Sequence, residues 1–204
     1  MEGGGVLEKW SEPYPVLSAE KLAVLMMDFS DNYATNLLME LVGVDNVQKR
    51  LRGWGMKDTL LRRRMMDLEA ARAGRENVTT PRDMVALLER LYRGEILAAG
   101  DTRKAIDIMK RNEGTPIKRG LPPGVAAADK DGELGGLRCD SGIVFVPGAA
   151  GATSGARPFV ISVMAAFLKD DEAGEVFIRD VTRAAWDHFG AVALSTEHGR
   201  KMEW

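Results

Sequence analysis

The pattern of apolar and polar residues divides the chain into a helical first part and a strand-rich second part. From Ser18 to about Asn112, apolar residues recur at the three- and four-residue spacing of amphipathic helices. From Val125 the spacing becomes that of β-strands. The chain is therefore predicted to have an α+β fold in which the helices precede the sheet.

Five helices are predicted in the first part, and most begin at a recognisable cap. Ser18 is a good N-cap for the first helix, whose apolar stripe ends at Phe29. In Thr80-Pro81-Arg82-Asp83 the threonine caps a helix, and the proline fits its first turn. Asp101 is expected to cap the fifth helix. The predicted spans are Ser18 to Phe29, Asn32 to Val42, Asn46 to Arg52, Thr80 to Gly94 and Asp101 to Asn112.

A long segment, residues 56–78, separates the third and fourth helices and is predicted to be mostly irregular. It contains the basic run Arg62-Arg63-Arg64. A loop of this length in a compact domain is usually either functional or disordered.

The second part is predicted to be an antiparallel meander closed by an amphipathic helix. A loop rich in Gly, Ala and Ser, residues 147–157, would connect the last two strands. The helix runs from Asp170 to about Phe189, and residues 190–204 are expected to be a tail. The predicted strands are Val125–Asp131, Leu137–Val146 and Phe159–Phe167.

The composition fits one soluble globular domain and excludes several classes of function. With 204 residues and 45% hydrophobic content, the chain can bury a sizeable core. The net charge of −2 gives no sign of a nucleic-acid surface. Cys139 is the only cysteine, so no internal disulfide is expected. No signal peptide is visible, and the most apolar stretch, Val160 to Leu168, is too short to span a bilayer.

Two polar stretches are the candidates for chemistry. Ser30-Asp31-Asn32 lies between the first two helices, where it is either an ordinary helix cap or a functional turn held between buried helices. Asp129-Lys130-Asp131-Gly132 ends the first predicted strand. There Lys130 is either an exposed lysine at a strand end or a cation that serves a site.

Together, and in this order, the two stretches resemble the S-D-N and K-T-G motifs of the class A β-lactamases and penicillin-binding proteins. The surroundings are similar too. Asn36-Leu37-Leu38 follows the first motif, Thr79-Thr80-Pro81 opens a mid-chain helix, and Asp140-Ser141-Gly142 lies on the strand after the lysine. The similarity runs from about Gly5 to Phe189.

The resemblance implies a β-lactamase/transpeptidase-like fold with a helical part at about 18–112. A sheet of about three strands and the closing helix would occupy about 125–189, and 190–204 would be a tail. The family's S-x-x-K nucleophile motif is expected several tens of residues before S-D-N. Ser18-Ala19-Glu20-Lys21 has that spacing but precedes Ser30 by only twelve residues, so Ser18 is interpreted as an N-cap. The first two strands and the nucleophile helix would then lie before Met1.

The resemblance also implies roles for individual residues. Ser30 would relay a proton to the leaving nitrogen, and Asn32 would bind the amide side chain of the substrate. Asp31 would hold the turn. Lys130 would be the cationic group, and the backbone N–H of Glu133, after Gly132, would contribute to the oxyanion hole. Neither a cofactor nor a metal is implied.

Two departures from the family motifs bear on activity. Asp131 stands where the family has a threonine or serine that binds the substrate carboxylate, so it would repel that carboxylate and pair with Lys130 instead. The long segment lacks the family's E-x-x-L-N pattern, whose glutamate activates the deacylating water. Glu69 is the candidate for that base, although no Leu-Asn follows it. Asp140 is expected to be structural rather than catalytic.

Two functions from different classes remain open on this basis. The first is a serine acyl hydrolase that acts on β-lactams or D-alanyl-D-alanine peptides. The second is an inactive member of the family that only binds penicillin-like or muropeptide ligands, which Asp131 favours. Self-association is also expected, because Phe159–Phe167 would expose a long apolar edge of the sheet. The cellular compartment stays open, although the family usually works outside the cytoplasm.

Overall fold

The computed structural model describes residues 5–9, 16–147, 157–193, 195–196 and 199–200. The chain forms two compact units, residues 1–87 and 88–204, and the boundary falls within one helix. The first unit is helical and the second contains the sheet, so the predicted α+β class is confirmed. The described helices are α1 (Ala19–Asp28), α2 (Asn32–Val42), α3 (Val44–Gly53), α4 (Leu68–Arg72), α5 (Pro81–Tyr92), α6 (Ala99–Arg111), α7 (Pro116–Gly120) and α8 (Asp171–Ala193).

Helix α1 begins at the predicted cap and α2 has the predicted bounds. The Ser18 hydroxyl accepts a hydrogen bond from Lys21 N at 3.2 Å, which confirms that Ser18 is an N-cap. Gly43 follows α2 with a φ of 82°, a conformation that favours glycine. The predicted stripe of α1 is wrong at its end, because Phe29 is the C-cap and is 57% exposed.

The core of the first unit lies between α1, α2 and a short 3-10 turn, Leu7–Lys9. Leu7, Leu22 and Ala34 are buried there, with Leu25 and Leu38 packed against them. This small apolar cluster fixes α1 against α2. The polar turn that connects the two helices is thereby held in place.

Residues 56–78 are mostly irregular, as predicted, but side chains tie this loop to its surroundings. The Asn77 carboxamide accepts from the backbone N–H groups of Arg62 and Arg63 and donates to the Arg63 carbonyl. Arg63 also forms an ion pair with Glu76 at 2.7 Å. The loop contains α4, which the sequence prediction missed.

Two helix starts differ from the prediction, and a third agrees with it. Helix α3 begins at Val44 rather than Asn46, directly after Gly43. Asp101 is not the cap of α6, because that helix begins at Ala99 and Asp101 lies in its first turn. Thr80 does cap α5, since its hydroxyl accepts from Asp83 N at 3.2 Å.

The second unit contains an antiparallel meander in the order β1-β2-β3, as predicted. Its strands are β1 (Ala127–Leu134), β2 (Leu137–Val146) and β3 (Arg157–Ala166). β1 starts at Ala127 rather than Val125, and it ends later than predicted because the hairpin to β2 needs only Gly135 and Gly136. β3 is an edge strand, with no partner on its outer side among the described residues. The part of the predicted 147–157 loop at 148–156 lies outside those residues.

Helix α8 covers one face of the sheet and closes the main core. Ile178 on α8 is fully buried with Val144 of β2 and with Phe159, Ile161 and Val163 of β3. Ile117 of α7 and the C-cap of that helix, Leu121, join this core, a contribution that the sequence prediction missed. α8 runs to Ala193, beyond the predicted end at Phe189, and a short hairpin pairs Ser195–Thr196 (β4) with Gly199–Arg200 (β5). The rest of the predicted tail lies outside the described part of the chain.

Neither a membrane span nor a metal site is found in the parts of the chain that the structure describes. No helix there is long and apolar enough to cross a bilayer. No group of three or more His, Cys, Asp or Glu side chains there is placed to hold a metal ion.

Candidate functional site

The turn between α1 and α2 presents Ser30 in a strained conformation. Ser30 has a φ of 49° and an exposed side chain. Positive φ is uncommon for a residue with a Cβ, and such strain persists only where the surroundings impose it. The next residue supplies the constraint, because Asp31 N donates to the Leu25 carbonyl of α1 at 3.1 Å.

Asp31 is the anchor of this turn. Its side chain is fully buried and accepts two backbone hydrogen bonds of 2.8 Å, one from Leu7 N and one from Ala34 N. Gly5 approaches so closely that an added Cβ would lie 2.7 Å from Asp31 Oδ2. A single carboxylate therefore caps α2 and ties the turn to the segment before α1.

Asn32, the third residue of the motif, is the first residue of α2 and is half-buried. One turn later, Asn36 reaches the long loop. Its carboxamide accepts from Met65 N at 2.8 Å and donates to the Met65 carbonyl at 3.1 Å. Asn36, Asn77 and Asp31 thus use side-chain hydrogen bonds to order the irregular backbone of the first unit.

Glu69, the candidate base, lies on α4 within the long loop and is exposed. The neighbouring carboxylate, Asp67, is the N-cap of α4 and accepts from Ala70 N at 2.9 Å. Asp67 therefore has a structural role as a helix cap, whereas the Glu69 carboxylate lies at the surface of the loop.

On β1, Lys130 is paired with the residue next to it. Its Nζ donates to Asp131 Oδ1 at 2.9 Å and to the Asp131 carbonyl at 2.8 Å. Burial raises the pKa of Asp131, but the hydrogen bond and charge of Lys130, together with a hydrogen bond from Asn112, outweigh it and hold that pKa below its usual range. The ion pair anticipated from the sequence is present.

A small cleft of about 200 Å³ adjoins the end of β1 in the second unit. It brings Asp131, Gly132 and Glu133 together with residues that the sequence analysis did not single out. Arg119 and Glu175 form an ion pair of 2.5 Å there, and Glu175 also lies 3.6 Å from Arg138. The full lining is Gly114, Pro116, Arg119, Asp131, Gly132, Glu133, Arg138, Cys139 and Glu175.

Most serines in the described part of the chain have structural partners. Ser18 caps α1, and the hydroxyls of Ser141 and Ser162 are hydrogen bonded to each other at 2.8 Å across β2 and β3. Cys139 is not activated either, because burial raises the pKa of its thiol, and the charges of Asp140 and Asp131 raise it further. Neither these three serines nor the thiol is set up as an activated nucleophile.

The chain is similar in sequence to a known family of proteins and to several of its characterised members. Residues 1–189 match a family described as the beta-lactamase enzyme family. A β-lactamase of Streptomyces albus G is 30% identical over 180 residues, which are 85% of this chain and 55% of that protein. The carbapenem-hydrolyzing β-lactamase KPC of Klebsiella oxytoca is 30% identical over 200 residues, which are 92% of this chain and 66% of that protein. The chain thus spans between half and two-thirds of these curated relatives.

Solved structures show the same likeness. A β-lactamase from Sphaerobacter thermophilus aligns with a TM-score of 0.77 at 30% identity, over 92% of this chain and 69% of that one. The structure of PBP-A aligns with a TM-score of 0.77 at 28% identity, over 91% of this chain and 66% of that one. A mutant of PBP-A was solved as an acyl-enzyme complex with penicillin G. It aligns with a TM-score of 0.78 at 28% identity, again over 91% of this chain and 66% of that one. The predicted type of fold is therefore confirmed.

Proposed function

Because this chain belongs to the β-lactamase enzyme family, we propose that it carries the proton-relay and substrate-binding residues of a serine acyl-hydrolase site. In this proposal Ser30 relays a proton to the leaving nitrogen, and Asn32 binds the amide side chain of the substrate. Lys130 supplies positive charge, and the Glu133 backbone N–H stabilises the developing oxyanion. Gly132 allows the substrate to approach the strand. Glu69 is the proposed base for the deacylating water.

The observation that carries this proposal is the conformation of the Ser30 turn. Ser30 is exposed and strained, while the adjacent Asp31 is fully buried and bonded to backbone on both sides. An ordinary cap needs the Asp31 carboxylate but does not need a serine with positive φ before it. Backbone strain that the surroundings impose is concentrated at functional sites. This favours a functional turn over a simple cap.

The proposed ligands are β-lactams or D-alanyl-D-alanine peptides of peptidoglycan. The family supplies this class, and the PBP-A mutant that captures penicillin G as an acyl-enzyme makes penicillin G the appropriate probe. The substrate carboxylate would have to approach a β1 segment that carries Asp131. The charge of Lys130 is available to that carboxylate only when its ion pair with Asp131 opens.

A non-catalytic binding role is the second candidate, and two observations favour it. The Lys130–Asp131 pair occupies the cation that the reaction needs, and Ser18, in the only Ser-x-x-Lys arrangement of the chain, is engaged as a helix cap. A chain of this kind would retain ligand contacts without forming an acyl-enzyme. The two candidates differ in one chemical step, the attack of a serine on the β-lactam carbonyl.

Intact mass spectrometry after incubation with penicillin G separates the candidates. A stable increase by the mass of penicillin G that maps to a serine supports the enzymatic role, because a lysine amine can also open the β-lactam ring. Mapping the adduct to Ser18 would show that the N-cap does not prevent its reaction. An unchanged mass together with saturable binding supports the binding role. An unchanged mass without any binding contradicts both candidates.

Self-association through β3 is a further part of this proposal. β3 has one charged residue, Arg157, and alternating buried apolar positions, and its outer edge has no described partner. Unprotected edges of this kind pair with other chains. Analytical ultracentrifugation should show a concentration-dependent dimer that Val160→Lys weakens, whereas Val192→Lys on α8 should leave it unchanged. A wild-type chain that stays monomeric at every concentration would contradict the interface.

A further inference from the structure

Three charged side chains lie inside the second unit at the start of β1. Asp129 and Asp140 have no exposed surface, and the side chain of Lys118 is 18% exposed. Asp140 lies opposite Asp131 in the β1–β2 register, and Asp129 is two residues earlier on β1. Since alternate residues of a strand share a face, Asp129 and Asp140 are diagonal neighbours on one face of the sheet.

The contacts of the two carboxyl groups are unequal. Asp129 Oδ1 lies 3.0 Å from Lys118 Nζ, although neither oxygen of Asp129 receives a hydrogen bond of normal geometry. Asp140 Oδ2 accepts from Ile117 N at 2.9 Å, which ties β2 to α7. Its other oxygen, Oδ1, is buried without any hydrogen-bond partner. Buried polar atoms are rarely left in this state, because each costs the free energy of its lost hydration.

The charges of this cluster balance only if one carboxyl group keeps its proton. Two carboxylates without exposed surface would face one ammonium group, and a buried unpaired charge is strongly unfavourable. Burial and, to a smaller extent, the Asp129 charge raise the pKa of Asp140 to about 8 against the opposing hydrogen bond from the Ile117 N–H. Burial also raises the pKa of Asp129, but Thr115 and Lys118 oppose that rise.

We propose that Asp129 and Asp140 form an acid–carboxylate pair that holds one proton at neutral pH, and that this proton fastens the start of β1, which carries Lys130, to β2 and α7. The proton resides on Asp140 Oδ1 and is donated to a carboxylate oxygen of Asp129. This hydrogen bond satisfies Asp140 Oδ1 and one oxygen of Asp129, whose Oδ1 also lies 3.0 Å from Lys118 Nζ. Lys118 neutralises the single remaining negative charge.

The surroundings of the pair contain few other charges that could replace this proton. Lys118 faces it from α7, and the backbone carbonyls of Lys110 and Asn112, at the end of α6, receive hydrogen bonds from Lys118 Nζ. Asp131, from β1, adds a negative charge that raises both pKa values. β3 places the apolar Val163 opposite Asp140, and the sheet meets the apolar core of α8 on this side.

The proposal predicts a specific dependence of stability on pH. The folded-state pKa of Asp140 is about 8 and the unfolded value is 3.8, so the folded chain retains a proton that the unfolded chain releases between these values. Stability from this group is fully present below about pH 4, falls as the pH rises and is lost above about pH 8. Linkage to one proton raises the unfolding equilibrium constant about tenfold per pH unit within this window.

Urea denaturation of the full chain from pH 5 to pH 9 tests the inference with matched variants. Asp140→Asn carries a carboxamide that donates to Asp129 at every pH. The tenfold rise of the unfolding equilibrium constant per pH unit that is expected for wild type should therefore be absent in this variant. Asp107→Asn removes an exposed carboxylate that is 3.6 Å from Lys110 and should keep the wild-type slope. Equal slopes in wild type and Asp140→Asn would overturn the shared proton.

Infrared spectroscopy of the wild-type chain provides a second test, which stands even if Asp140→Asn does not fold. With ¹³C-labelled aspartate, the carbonyl band of a protonated carboxyl group should be present at pH 7 and disappear as the pH rises past 8, while the chain remains folded. A spectrum at pH 7 that contains only ionised aspartate would overturn the proposal.

Discussion

Replacement of Asp31 by alanine is the sharpest test of how the Ser30 turn is built. The substitution leaves two buried backbone N–H groups, those of Leu7 and Ala34, without the acceptor that each now reaches at 2.8 Å. A hydrogen bond to a charged group contributes about 1.5–3 kcal/mol. The two bonds together therefore predict that Asp31→Ala lowers the free energy of unfolding by about 3–6 kcal/mol, a large part of the stability of an ordinary domain.

Urea denaturation followed by circular dichroism measures this loss, and Asp67→Ala is the matched control. Asp67 is also an aspartate N-cap, but it is exposed and accepts one hydrogen bond, from Ala70 N, so its replacement should cost about 1 kcal/mol. Asp31→Asn keeps one acceptor oxygen in place and should fall between the two. A loss in Asp31→Ala no larger than that in Asp67→Ala would refute the view that Asp31 anchors the turn.

Three further predictions concern the rest of the site and fold. Asp131→Thr removes the carboxylate that pairs with Lys130 at 2.9 Å, so calorimetry should show tighter binding of penicillin G; unchanged affinity would mean that the pair does not compete with the ligand. Asn36→Ala breaks both hydrogen bonds to Met65, so trypsin should cleave faster at Arg62-Arg63-Arg64, and an unaltered cleavage rate would show that other contacts hold the loop. Gly120→Ala places a Cβ 2.7 Å from the Arg179 carbonyl, and thermal unfolding should reveal a loss of about 1–3 kcal/mol; a variant as stable as wild type would show that α7 and α8 can separate at low cost.

Local sequence signals predicted those parts of the structure that depend on neighbouring residues. Ser18 and Thr80 cap their helices as expected, because a cap needs only a short polar side chain beside the first turn. The Lys130–Asp131 pair was predictable for the same reason, since the two residues are adjacent in the chain. Helix α7 was missed because five residues are too few to show a helical period.

Contacts between residues far apart in the chain could not be predicted in this way. Lys118 and Asp129 meet only because α7 packs against β1, and no local pattern in either segment indicates the other. The Asp31–Leu7 hydrogen bond joins residues 24 positions apart. Asp140 was expected to be structural, but its buried oxygen without a hydrogen-bond partner became visible only with the sheet register.

Binding of penicillin G to the full chain tests the central claim most directly. Isothermal titration calorimetry should show saturable binding to wild type that is weakened at least severalfold in Lys130→Ala, because that variant loses the cation proposed to attract the substrate carboxylate. Lys57→Ala, which removes an exposed lysine of the first unit, should bind as wild type does. Equal affinity of wild type and Lys130→Ala, or no binding at all, would contradict the account.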